Sequence, residues 1–168
     1  MAVADAESAG AGRIECRSAR HGGKPTSADL ATRKSVIDAL RAGQVRLGEY
    51  PVLDRSGQLL HLECPMRLRL LPGGDYEPAE TWLPVASRYR LMTQIDLAGL
   101  ELALAATAAD GLGRCVHVAA ESLATAGFVS AVRSRLEAAP EAAARLWIEI
   151  AEVSFERLPP RLRHADGA

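Results

Sequence analysis

The chain has 168 residues, 48% of them hydrophobic and 24% charged, with a formal net charge of −1. That is enough to bury one core, and the charge balance excludes a protein built to coat a nucleic acid polymer or an anionic membrane. The most apolar stretch, Leu97 to Ala109, is interrupted by Glu101 and is shorter than the roughly 20 residues of a bilayer span, so no membrane contact is expected.

Residues 1–26 are rich in small side chains, lack an apolar signal-peptide region and read as a disordered tail. Ser27 reads as the N-cap of a helix over about Ala28 to Ala42. Leu30, Ile37 and Leu40 repeat at helical spacing, and Gly43 stands where a terminating glycine belongs. Residues 27–44 are therefore expected to be a linker helix, and residues 45–168 the main domain.

From Val45 the period changes to two. Val45, Leu47, Tyr50, Val52 and Leu53 lead into the turn signal Asp54-Arg55-Ser56-Gly57, and a second strand runs from Gln58 to Leu70. On that strand Leu60, Leu62, Cys64, Met66, Leu68 and Leu70 share one face, and His61, Glu63, Pro65, Arg67 and Arg69 the other. Pro65 marks an edge or a bulge. Gly73-Gly74-Asp75-Tyr76-Glu77 follows Pro72 and reads as a turn.

A short helix is expected around Pro78 to Ser87, and a longer one over about Thr93 to Ala109, apolar on nearly all sides and hence buried. A strand over Cys115 to Ala120, an amphipathic helix through Phe128, Val132 and Leu136 ended by Pro140, and a strand over Leu146 to Glu152 complete the pattern. Alternating strands and helices with short links predict an α/β fold with a parallel sheet, the opening hairpin adding an antiparallel strand. Cys16, Cys64 and Cys115 are an odd count without C-x-x-C spacing, which points to reduced thiols and a cytoplasmic location.

Strands buried on both faces carry few charges, so polar residues within them ask for a reason. Glu63, His117 and Glu149 each lie on such a strand, and convergence of their strand ends would make a divalent-metal site. Arg67 lies on the Glu63 face, roughly 13 Å further along, within reach of a phosphate. The alternatives are ordinary. Glu63 and Arg67 can line the wet face of a hairpin, His117 can be a hydrogen-bonded core histidine, and Glu149 can pair with Arg145 or a neighbouring helix.

Taken in order, these segments resemble the N-terminal half of an EAL domain, the cyclic di-GMP phosphodiesterase family. Tyr50-Pro51-Val52-Leu53-Asp54 is similar to the family's Q-P-I-V-D strand, and Glu63-Cys64-Pro65-Met66-Arg67 to E-A-L-L-R. Trp82-Leu83-Pro84-Val85-Ala86 is similar to F-I-P-L-A, Cys115-Val116-His117-Val118-Ala119 to the V-N-L-S segment, and Trp147-Ile148-Glu149-Ile150-Ala151-Glu152 to E-L-E-I-T-E. The flavour is that of degenerate EAL domains in receptor proteins of the diguanylate cyclase and phosphodiesterase type.

The resemblance implies a partial, truncated TIM-like (β/α)8 barrel with an antiparallel first strand in an N-terminal hairpin. A whole barrel takes roughly 250 residues. It further implies Mg or Mn held by Glu63, His117 and Glu149, with Arg67 gripping a phosphate of cyclic di-GMP. His117 stands where the family has an asparagine, Tyr50 where it has a glutamine, and Ser87 where a glutamate commonly follows F-I-P-L-A. The family's Asp-Asp pair, lysine, further glutamate and ligand-binding glutamine find no counterpart in this sequence, so the domain is expected to be non-catalytic and to bind the dinucleotide at best. An interaction module that forms a homodimer through an open sheet edge, or a fragment without function, stand as alternatives.

Overall fold

A computed structural model of the chain describes residues 24–150. Most of the expected tail, together with Glu152 and residues 155–168, lies outside the described residues. Helix α1 (Ser27–Arg41) starts one residue earlier than its spacing predicts. Thr26, not Ser27, is the cap: its Oγ1 accepts from the Asp29 N–H at 3.1 Å, and its own N–H donates to Asp29 Oδ2 at 2.9 Å. Ser27 has no carboxylate three residues on to close such a box. The helix packs Val36 and Ala39 inward.

The expected hairpin is built from four strands, β1 (Val45–Leu47), β2 (Tyr50–Leu53), β3 (Leu59–Glu63) and β4 (Met66–Leu68). β2 pairs antiparallel with β3 across the Asp54–Gly57 turn, whereas β1 pairs with β4 as a separate two-stranded ribbon. The long second strand predicted from Gln58 to Leu70 is thus broken at Cys64-Pro65. Pro65 has no N–H for a ladder, and its carbonyl accepts from Gly48 at 2.8 Å. Gly48 is needed at that crossing, because a Cβ there would meet Tyr50 Cε2 at 3.1 Å and Arg67 Nε at 3.2 Å. The Gly73-Gly74 segment is a turn, with Gly73 at φ 71° and the Gly74 N–H on the Leu71 carbonyl.

Helix α2 (Ala79–Arg88) buries Trp82 and Ala86, and helix α3 (Met92–Asp110) runs beneath the sheet. The apolar composition of α3 predicts burial all round, but Gln94, Glu101, Ala105 and Ala108 face solvent. Ile95, Gly99, Leu100, Ala103, Leu104 and Thr107 form the buried side. Alanine explains the discrepancy: it suits a helix on either face and carries too little area to demand cover.

Strand β5 (Arg114–His117) is followed by the one-turn helix α4 (Ala120–Leu123), by α5 (Phe128–Ala138) and α6 (Pro140–Ala143), and by strand β6 (Leu146–Glu149). Pro140 opens α6 at its first position, where a missing N–H does no harm. The main sheet has the order β2-β3-β5-β6, antiparallel at its first pair and parallel at the other two. It is an open sheet among the described residues, since β2 and β6 do not pair with each other. No described helix is long and apolar enough to cross a membrane.

One sheet face packs on helices: Leu62, Val116 and Ala103 form one cluster, extended by Leu100, Leu104 and Ala142 against α5 and α6. Arg114, only 2% exposed, anchors this side at the beginning of β5. Its guanidinium donates to Glu49 at 2.6 and 3.0 Å and to Asp110 at 2.7 and 2.8 Å, tying α3 to the start of the hairpin. The pair holds the Asp110 carboxyl well below the usual carboxylate range. We expect Arg114→Ala to lower stability by about 2 kcal/mol, read as a shift in the urea midpoint. Arg114→Lys should recover only part of it, since one ammonium does not span both carboxylates.

Candidate functional site

In a sheet, residues paired across neighbouring strands point to the same face. Tyr50 opposes Glu63, Glu63 opposes Cys115, Cys115 opposes Trp147 and His117 opposes Glu149. The face away from the helices therefore carries Tyr50, His61, Glu63, Cys115, His117, Trp147 and Glu149, and its polar members gather toward the C-terminal ends of β3, β5 and β6. Parallel pairing makes this inevitable once the helix-facing residues are fixed, because strand side chains alternate.

Glu63, His117 and Glu149 meet there. His117 Nε2 lies 2.9 Å from Glu63 Oε1 and 3.4 Å from Glu149 Oε2. One donor atom from each falls within 4.8 Å of the others, a set able to hold a divalent cation. Glu63 Oε1 is buried and has no hydrogen-bond partner among the described residues, because the short approach of His117 lacks donor geometry. A buried carboxylate oxygen beside an imidazole nitrogen without a hydrogen bond fits two ligands facing one cation.

Two of the alternative readings differ from the geometry. His117 is half-exposed, not a core histidine. Arg145 donates to the Gly111 carbonyl at 3.0 Å and leaves Glu149 to His117.

Arg67 sits on the ribbon, opposite Arg46, and does not touch the three donors directly. Its Nη2 donates to the Tyr50 hydroxyl at 2.6 Å, and Tyr50 is the cross-strand neighbour of Glu63. The guanidinium is thus linked to the cluster through one tyrosine. An apolar cavity of about 160 Å³ lies alongside, lined by Pro65, Met66, Trp82, Gly99, Asp96 and His117 among others.

Acidic and thiol groups with shifted titration lie around the site. Asp96, on α3, accepts from the Ala119 N–H at 2.9 Å and so holds the turn that follows His117. Burial raises its pKa to about 6. Burial likewise pushes the Cys115 thiol up to about 12, assisted by the neighbouring Glu63, and Cys64 up to about 11. Sequence reasoning passed over Asp96, Arg114 and His61. The signal for the first two was a charge inside an otherwise apolar run.

With this geometry in place, similarity to known proteins becomes informative. The family model of the EAL domain matches residues 33–165. The chain belongs to the EAL domain family. Among solved structures it resembles the FimX EAL domain of Xanthomonas citri in complex with c-di-GMP, at 18% identity and a TM-score of 0.67, covering 77% of this chain and 52% of that one. The FimX EAL domain of Pseudomonas aeruginosa bound to c-di-GMP matches at 24% identity and a TM-score of 0.66, covering 75% and 52%. The PaMucR phosphodiesterase in its c-di-GMP complex matches at 26% and 0.65, covering 75% and 53%.

No curated protein sequence matches the chain. It spans about half the length of these EAL domains, and its open sheet with helices on one face is a partial version of their TIM-like fold.

The burial of Asp96 gives this EAL domain a pH signature. The folded state keeps its proton to about pH 6, whereas an unfolded aspartate releases it near 3.8. The contribution is full below about pH 4 and is lost as pH rises through about 6. Asp96→Asn keeps an acceptor for Ala119 and removes the titration. The unfolding free energy from urea titrations should then fall between about pH 4 and 7 by on the order of 2 kcal/mol less in Asp96→Asn than in the parent.

Proposed function

We propose that this EAL domain binds c-di-GMP at the C-terminal ends of β3, β5 and β6 without hydrolysing it at an enzymatic rate. One ligand phosphate lies on Arg67, and Mg²⁺ or Mn²⁺ is held by Glu63, His117 and Glu149. The observation that carries this reading is the meeting of the last three residues, with donor atoms within 4.8 Å, on three adjacent strands of the sheet. The related FimX domains, crystallised with c-di-GMP, support the choice of ligand.

Each residue has a definite task. Arg67 offers a planar fork of N–H donors to a phosphate, and the Tyr50 hydroxyl holds that fork toward the sheet. Glu63 and Glu149 neutralise a cation between them. When bound, the cation supplies positive charge for phosphate oxygens and lowers the pKa of a water. Imidazole at position 117 gives nitrogen in place of an amide oxygen, a poorer match to Mg²⁺ than to softer ions, which favours ligand retention over magnesium-dependent hydrolysis.

Calorimetric titration with c-di-GMP, with and without Mn²⁺, tests the reading. We expect saturable binding that is strengthened by Mn²⁺ and weakened about tenfold or more by Arg67→Ala, the loss of a charge-assisted contact. Absence of binding overturns the assignment, and production of the linear dinucleotide at a normal enzymatic rate overturns its non-catalytic part.

Self-association is a second reading with its own observation. Strand β6 pairs with β5 alone among the described residues, and Trp147 and Ile148 on it are 56% and 42% exposed. An open apolar edge of this kind invites pairing with a second copy. Light scattering coupled to size exclusion should show mass rising toward a dimer with concentration, and Ile148→Lys should abolish the rise. A monomer at every concentration argues against it.

A further inference from the structure

The sheet face that carries the candidate cation cluster holds a second donor set, with different chemistry. His61, Glu63 and Cys115 each present one ligand atom, all within 4.8 Å of one another. His61 and Glu63 lie two apart on β3, and Cys115 is the cross-strand partner of Glu63 on β5, so the three share one face by register. Glu63 borders both groups: its Oε1 faces His117, while its Oε2 lies 3.8 Å from His61 Nε2.

We propose that His61, Glu63 and Cys115 form a binding site for a borderline-soft divalent cation of the Zn²⁺ class, which shares Glu63 with the Glu63–His117–Glu149 cluster but differs from it in its other two donors. Sulfur, imidazole nitrogen and one carboxylate oxygen are the donors that select zinc over magnesium or calcium, which prefer oxygen alone. A tetrahedral zinc centre needs ligand atoms about 3.4 Å apart, and the three donor atoms already lie within 4.8 Å of one another, so closure asks for only a small contraction. Side-chain rotation on adjacent, hydrogen-bonded strands supplies movement on that scale.

Three features favour the site. His61 Nδ1 is buried with no hydrogen-bond partner among the described residues, a cost that ligation through this nitrogen would remove. The imidazole is already held in place by stacking on Trp147, with ring centroids 5.2 Å apart and planes at 29°. Cys115 is buried yet points to this polar face, whereas Cys64 points to the helix side, where its thiol donates to the Leu62 carbonyl.

Zinc binding would exchange the thiol proton for a sulfur–metal bond, with the proton released to solvent. The bound ion would clip β3 to β5 and draw one carboxylate oxygen of Glu63 away from the neighbouring cluster. Occupation of the site requires no dinucleotide, although it shares Glu63 with the neighbouring cluster.

The full chain is titrated with Co²⁺ alone, as a spectroscopic stand-in for Zn²⁺, in the absence of c-di-GMP. We expect a near-ultraviolet thiolate-to-cobalt charge-transfer band that Zn²⁺ displaces. The band should persist in Cys16→Ser/Cys64→Ser, which keeps only Cys115, and disappear in Cys115→Ser. His61→Ala should weaken Zn²⁺ about tenfold or more in competition with a chelating dye, with circular dichroism confirming that the variant is folded. A parent chain whose cobalt adduct has no thiolate band overturns the proposal, as does a band that survives Cys115→Ser. Loss of c-di-GMP binding with the cobalt band intact would count against the dinucleotide reading only.

Discussion

Parallel pairing of β5 with its two neighbours sets Glu63 beside Cys115 and His117 beside Glu149, and the chemistry of this domain follows from that register. Because side chains alternate, a slip of one residue in β5 would turn Val116 to the polar face and bury His117 under the helices. Packing prevents the slip. Val116 closes a cluster with Leu62 and Ala103, and Gly113 lets the chain enter β5 so closely that a Cβ there would stand 3.2 Å from the Arg145 carbonyl oxygen.

Charge is divided between the two ends of the sheet. At the start of β5 a buried arginine is matched by Glu49 and Asp110, both of which keep contact with water. At the other end Glu63 and Glu149 converge around one imidazole, without a lysine or arginine in ion-pair contact among the described residues. The first arrangement satisfies its own charges and contributes rigidity. The second leaves negative charge concentrated where a cation or a ligand's own donors can meet it, the division of labour expected of barrel-type folds.

The parts of this structure that were legible in the sequence are those encoded by local periodicity. Alternation along Leu59–Glu63 separates His61 and Glu63 from Leu62, and a charged residue within Trp147-Ile148-Glu149-Ile150 stands out against its neighbours. What could not be read depends on partners remote in the chain. Strand pairing of β1 with β4 rather than one continuous hairpin arises from Gly48 meeting Pro65, two residues that only the fold brings together. Arg114 begins a strand that its neighbours describe as apolar, and its role is set by Glu49, far away in sequence. Asp96 is one charge in an apolar helix, and its meaning comes from the Ala119 amide above it.

The strand break also divides the packing of the hairpin between two clusters. Leu68 of β4 shares a cluster with Val36 of α1 and with Trp82 and Ala86 of α2, whereas Leu62 of β3 and Val116 of β5 belong to another. Arg67 thus belongs to a strand packed with the N-terminal helix, and the carboxylates to strands packed on α3. Because its guanidinium also donates to the Tyr50 hydroxyl of the sheet, the arginine's position is set from both clusters at once.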